Sequence, residues 1–174
     1  YDCIKRAAKG FQNEVSLDLI MQEVTKNLYN QVSTLEIEDA IILAAIAFIE
    51  RDPAYSLVAS RLLRQKLAKE VLSASTTEET YAEQYRKSFV VGVKQGIEKG
   101  IIDPRLNAFD LEYLANQLDL KRDDLLDYMG LRTLYERYFF RIDGRRIELP
   151  QMFWMRVAMG LAILEETKNE RAVE

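Results

Sequence analysis

The stretch from Tyr138 to Pro150 constrains the fold of this chain more than any other. The runs "YFFRI" (138–142) and "RRIEL" (145–149) are rich in aromatic and β-branched residues and flank Asp143-Gly144. Asp-Gly reaches positive φ at low cost and favours a two-residue hairpin turn. Strands are therefore predicted near Tyr138–Ile142 and Arg146–Leu149. Pro150 follows at once, and proline suits the first turn of a helix, where its missing N–H is not needed. The hairpin must sit in a helical background, because the rest of the chain carries the helical period.

Leu17, Ile20, Met21, Val24 and Leu28 recur at three and four behind a cap at Ser16. Ile37, Ile41, Ala44, Ala45 and Phe48 mark a second helix, and Ser33 with Glu36 has the spacing of a capping box. Pro53 breaks that pattern, and a third helix follows through Leu57, Val58, Leu62 and Leu67. "SASTT" (73–77) reads as a linker, with Thr76 and Glu79 in box spacing ahead of a long helix from about Glu78 to Glu98. Gly100 is placed to end that helix in a left-handed cap. "IIDPRLNAFD" is a turn-rich connector, and short helices are predicted around Leu111–Leu118 and Asp123–Asp127. A closing helix is predicted from Pro150 to about Asn169, with a charged tail lacking a packing stripe. Its core stripe is read as Trp154, Val157, Ala158, Leu161 and Leu164. Trp154 is expected to be a core anchor. The fold class is mainly α, in two parts: residues 1–72 and 73–174.

Charge and composition exclude several functions. The formal net charge is −4 and the pI about 5.1, against the basic face that nucleic acid requires. The chain has no histidine and one cysteine, Cys3, so no zinc ribbon and no internal disulfide can form. The longest apolar run, Ala40 to Ile49, is half of the roughly 20 residues that span a bilayer. A cytoplasmic protein is expected, with no membrane partner. Glu78, Glu79 and Glu83 read as acids favouring a helix dipole rather than a catalytic pair. Lys87, Lys94 and Lys99 read as a solvated face. Arg141, Arg145 and Arg146 read as charges guarding a strand edge. No catalytic or metal-ligating set is assigned.

A longer ordered pattern carries a resemblance. Tyr128, Gly130, Leu131, Arg132, Thr133, Leu134 and Tyr138 precede the Asp143-Gly144 turn. Pro150, Gln151, Met155, Arg156 and Val157 follow it. This order resembles the region ahead of the catalytic barrel in the large subunit of class I ribonucleotide reductases, with Leu149 where an arginine is common. Upstream, "AAKGF", "STLEIEDAIILAA", "RDPAYSLVASRLL" and Lys69 resemble the second half of an ATP-cone, the regulatory module of these enzymes. The resemblance implies a truncated cone-like helical bundle over 1–72 and a helical domain with one hairpin over 73–174.

It implies further that the parent enzyme makes deoxyribonucleotides for DNA synthesis and that ATP and dATP act as its allosteric effectors. Its partners would be the catalytic barrel of the same chain and a small radical-generating subunit. Thr34 and Lys69 fall at family positions that meet nucleotide. Glu38 places a carboxylate where phosphate would be repelled, and the family's phosphate-gripping "V-x-K-R-[DN]-G" hairpin is not in this sequence. Weak binding of ATP and dATP, or none, is therefore expected. Cys3 alone cannot supply the several thiols of these reductases, so no reduction by residues 1–174 alone is expected. The rival readings are a stand-alone ATP-cone regulator and a helical interaction module without a ligand.

Overall fold

A computed structural model describes residues 1–27, 33–72 and 76–174. The expected contribution of Leu28 and most of the "SASTT" linker lie outside the described residues. The fold is mainly α, with one two-stranded antiparallel hairpin among the described residues. No helix among them is long and apolar enough to cross a membrane. The chain forms two compact units: Tyr1–Lys66 with Asp124–Thr133, and Leu67–Asp123 with Leu134–Glu174.

The first unit contains α1 (Asp2–Ala7), α2 (Leu17–Asn27), α3 (Thr34–Ile46) and most of α4 (Ala54–Val71). Local chemistry sets its boundaries. The Ser16 hydroxyl accepts the Leu19 N–H at the start of α2. Ser33 and Glu36 form the expected capping box, each side chain accepting the other's backbone N–H. α2 packs on α3, and the buried set includes Ile4, Ile20, Ile42, Ala45, Val58 and Leu63. Arg61 on α4 ties down the end of α1, donating to the Ala7 and Lys9 carbonyls and lying over the Phe11 ring. Ser60 donates to the Leu126 carbonyl and Ser56 accepts the Tyr128 N–H. These bonds fix the start of α7 (Tyr128–Arg137). Asp127 caps α7 by accepting the Gly130 N–H at 2.7 Å. A Cβ on residue 130 would stand 3.1 Å from that carboxylate oxygen, so the cap itself favours glycine there.

The second unit is built on α5 (Tyr81–Glu98). α5 starts three residues later than predicted, and the Thr76–Glu79 box is not formed. Thr77 and Thr80 exchange side-chain and backbone bonds instead, closing the turn that precedes the helix, whose N-cap is Thr80. Glu78 and Glu79 therefore lie in the turn before α5, and only Glu83 is in its first turn. At the other end, Gly100 has φ +71, the Ile101 N–H reaches the Gly96 carbonyl and the Gly100 N–H reaches that of Ile97. This is a Schellman cap, and glycine supplies the left-handed residue it requires. Asp103 then caps a short 3-10 helix (Pro104–Ala108) and leads into α6 (Leu111–Gln117).

β1 (Arg141–Ile142) and β2 (Arg145–Arg146) pair as Arg141 with Arg146 and Ile142 with Arg145. Asp143 and Gly144 both have positive φ, at +50 and +82. The turn is as predicted, but the strands are shorter, because α7 runs on to Arg137 and one further ladder bond, Ile147 N–H to the Phe140 carbonyl, closes the pairing. α8 (Pro150–Leu161) ends eight residues before the predicted Asn169. A separate α9 (Lys168–Val173) packs against α8 and α6. The charged tail does pack: Ala172 is buried and the Asn169 side chain accepts the Asp110 N–H.

The Asp103 carboxylate is held down to about 2 from 3.8, first by the Arg105 side-chain bond and then by the Arg105 backbone N–H. Its stabilising effect is present above pH 3.8 and is lost as pH falls through about 2. Carboxyl carbon NMR across an acid titration is expected to show Asp103 titrating near 2; a midpoint near 3.8 would mean that this cap does not hold in solution.

Candidate functional site

Thr34 is exposed as the first residue of α3, directly behind the Ser33 cap, and belongs to the first unit. Glu38 lies one turn further along α3 and is half-buried. Lys69 is exposed in the last turn of α4 and belongs to the second unit. Cys3 is a free, half-buried thiol on α1.

The densest chemistry of the second unit surrounds the hairpin. Arg146 is only 9% exposed, which corrects its reading as an edge guard. Its backbone N–H donates to Glu70 Oε1 at 2.6 Å, and its guanidinium donates to Glu70 Oε2 at 3.2 Å and, through Nε, to the Tyr135 carbonyl at 2.8 Å. The guanidinium lies 3.3 Å from the Tyr135 ring centre. Arg145 donates to the Glu70 carbonyl. Arg141 remains exposed.

A second buried pair closes the base of the hairpin. Glu148, 5% exposed, accepts from Arg156 of α8 through both carboxylate oxygens and from the Phe140 N–H at 2.9 Å. The Arg156 guanidinium lies over the Phe140 ring. Behind it, the fully buried Tyr85 hydroxyl donates to Asp123 at 3.0 Å and accepts the Gln151 N–H at 3.0 Å. Burial first, then the Asp123 charge, pushes the Tyr85 phenol well above its ordinary 10.0. It therefore stays a donor and pins the start of α8.

The faces of α8 reverse the expectation drawn from sequence. Met152, Met155, Met159 and the cap residue Ala162 are the buried row. Trp154 is 47% exposed, Leu161 82% and Leu164, just past the helix, 87%. Trp154 stacks edge-on against Phe153. A helix apolar on every side offers the period no polar face to mark the outside, so the predicted stripe was the outward one.

Residues 124–174 match the family model described as the ribonucleotide reductase all-alpha domain. Over 171 residues the chain is 41% identical to the ribonucleoside-diphosphate reductase subunit alpha of Chlamydia muridarum, covering 98% of this chain and 16% of that protein. The chain belongs to the ribonucleotide reductase large-subunit family. The Helicobacter pylori subunit alpha is 33% identical over 166 residues, and the Plasmodium falciparum large subunit 26% over 163. The chain spans 16–20% of the length of these relatives, in their N-terminal region.

The reductase motif residues act structurally in this chain. Pro150 opens α8, the Gln151 N–H meets Tyr85, Met155 is core and Arg156 neutralises Glu148. Leu149 is fully buried, which an apolar residue suits. Glu70, Glu148, Tyr85 and Asp123 escaped the sequence reading. Glu70 and Arg146 are 76 residues apart, and no local spacing could have paired them.

Truncation of Met159, which is fully buried, is expected to cost about 2–5 kcal/mol. Trp154→Ala is expected to cost only about 1 kcal/mol, mostly its edge-on contact with Phe153. Denaturant melts of both variants check this. Trp154 is the chain's sole tryptophan, so emission from the unsubstituted chain should be red-shifted and readily quenched by acrylamide. A blue-shifted, protected indole with a Trp154→Ala loss matching that of Met159→Ala would restore it to the core.

Proposed function

We propose that this chain is the N-terminal regulatory and structural part of a ribonucleoside-diphosphate reductase large subunit, an oxidoreductase that makes deoxyribonucleotides for DNA synthesis in the cytoplasm. The observation that carries the reading is α8. One row of its side chains is packed, while Trp154, Leu161 and the adjoining Leu164 stay open to solvent. Large apolar side chains left exposed together mark a surface meant to be covered. The relatives are longer proteins of which this chain matches a minor share, and the occupant proposed is the catalytic barrel of the same parent chain. The thiols that reduce substrate would reside there, since Cys3 is the one thiol here.

Residues 1–72 are proposed to be the cone-like regulatory segment and 73–174 the helical domain before the barrel. ATP and dATP would be the effectors of the parent enzyme, with Thr34 and Lys69 as nucleotide contacts. The small radical-generating subunit would be its partner in turnover. Thr34 and Lys69 are both exposed, which leaves them accessible to a ligand.

Hydroxyl-radical footprinting of residues 1–174 and of a full-length large subunit carrying this segment tests the docking. Trp154, Leu161 and Leu164 are expected to be modified in the former and protected in the latter. Equal modification in both would remove the barrel as the occupant of this face.

A further inference from the structure

Two part-buried ion pairs of the second unit, Glu70–Arg146 and Glu148–Arg156, lie along one path. Glu70, in the last turn of α4, holds Arg146 by both its backbone and its side chain. Arg146 lies in β2, which pairs with β1 and, through Ile147 N–H, with Phe140. Phe140 donates its N–H to Glu148, and its ring lies under Arg156. Arg156 also lies 5.3 Å from the Phe153 ring, which stacks on Trp154 at 4.9 Å. Each step joins neighbouring residues, from the end of α4 to the open face of α8.

Stability alone does not account for this arrangement. A buried ion pair is about as stable as, or less stable than, the apolar packing that could replace it, whereas removing one partner strands a charge. Glu70 is also placed so that one carboxylate satisfies both a guanidinium and a hairpin N–H. Moving the last turn of α4 would withdraw both bonds together.

We propose that Glu70 is a positioning latch, coupling the end of α4 through the hairpin and the Glu148–Arg156 pair to the setting of Trp154 on α8. The latch regulates the docking face, and that functional meaning rests on the reading that α8 docks. With Glu70 engaged, Phe140 and Glu148 are held and α8 presents Trp154 in one orientation. With Glu70 withdrawn, Arg146 and the hairpin relax, and the relaxation reaches α8 through Glu148.

Coupling of this kind is reciprocal, and amide exchange of residues 1–174 with acrylamide quenching of Trp154 measures it from both ends. Glu70→Gln keeps an acceptor but removes the charge. It is expected to speed exchange about tenfold at the Arg146 amide and also at the Phe140 amide, which Glu70 does not touch, and to change Trp154 quenching. Arg156→Lys, at the other end, is expected to speed exchange at the Arg146 amide. Amides of Phe89 in α5 and Val58 in α4 serve as references for intact folding. Changes confined to each variant's own contacts would overturn the latch and leave two independent clamps. Should Glu70→Gln unfold the chain, Arg156→Lys decides alone: a response at the Arg146 amide supports the coupling, and none overturns it. These measurements need no barrel, so their failure is distinct from failure of the footprinting that tests docking.

Discussion

The second unit depends on two carboxylates, the buried Glu148 and the half-buried Glu70, holding a hairpin that cannot hold itself. Two bridge pairs and one additional ladder bond are too few for a stable hairpin in water. Glu148 supplies the missing support by accepting both an Arg156 fork and the Phe140 N–H, with Phe140 under the guanidinium. Glu70 does the same for Arg146, with Tyr135 as the stacking plane. Each charge has several partners, the condition under which a buried ion is tolerable.

That support determines the placement of α8. With the hairpin fixed, Leu149 enters the core and Pro150 starts the helix against Tyr85. The helix then buries its methionine row and leaves Trp154 and Leu161 outside. The family motif thus describes an architecture: a glycine that admits an aspartate cap, a hairpin turn, a proline that opens a helix and an arginine that neutralises a glutamate. These residues determine where an apolar face is presented, the face proposed to meet the catalytic barrel.

Features encoded within four or five residues were legible in the sequence. The Asp143-Gly144 turn, the Ser33–Glu36 box, the Gly100 cap and the Pro150 start each depend on neighbours in the chain. Features decided by tertiary packing were not. The ends of α8 and α5 follow from where α9 packs and where Thr77 meets Thr80. The buried row of α8 could not be told from its exposed one, because residues on every side are apolar. Glu70 carried no local signal, since its partner lies 76 residues away. Thr34 and Lys69 were chosen by resemblance alone. A lone threonine at a helix start and a lone lysine at a helix end carry no chemical signature that spacing could reveal.

The central claim is that the hairpin is held by the Glu70 and Glu148 carboxylates and not by its own ladder. A double-mutant cycle on Glu148 and Arg156, read by denaturant unfolding, tests it most directly. Glu148→Ala alone should cost roughly 3–5 kcal/mol, with much of that loss absent when Arg156 is replaced as well. A loss below about 1 kcal/mol with no coupling, the level of an exposed ion pair, would contradict the account.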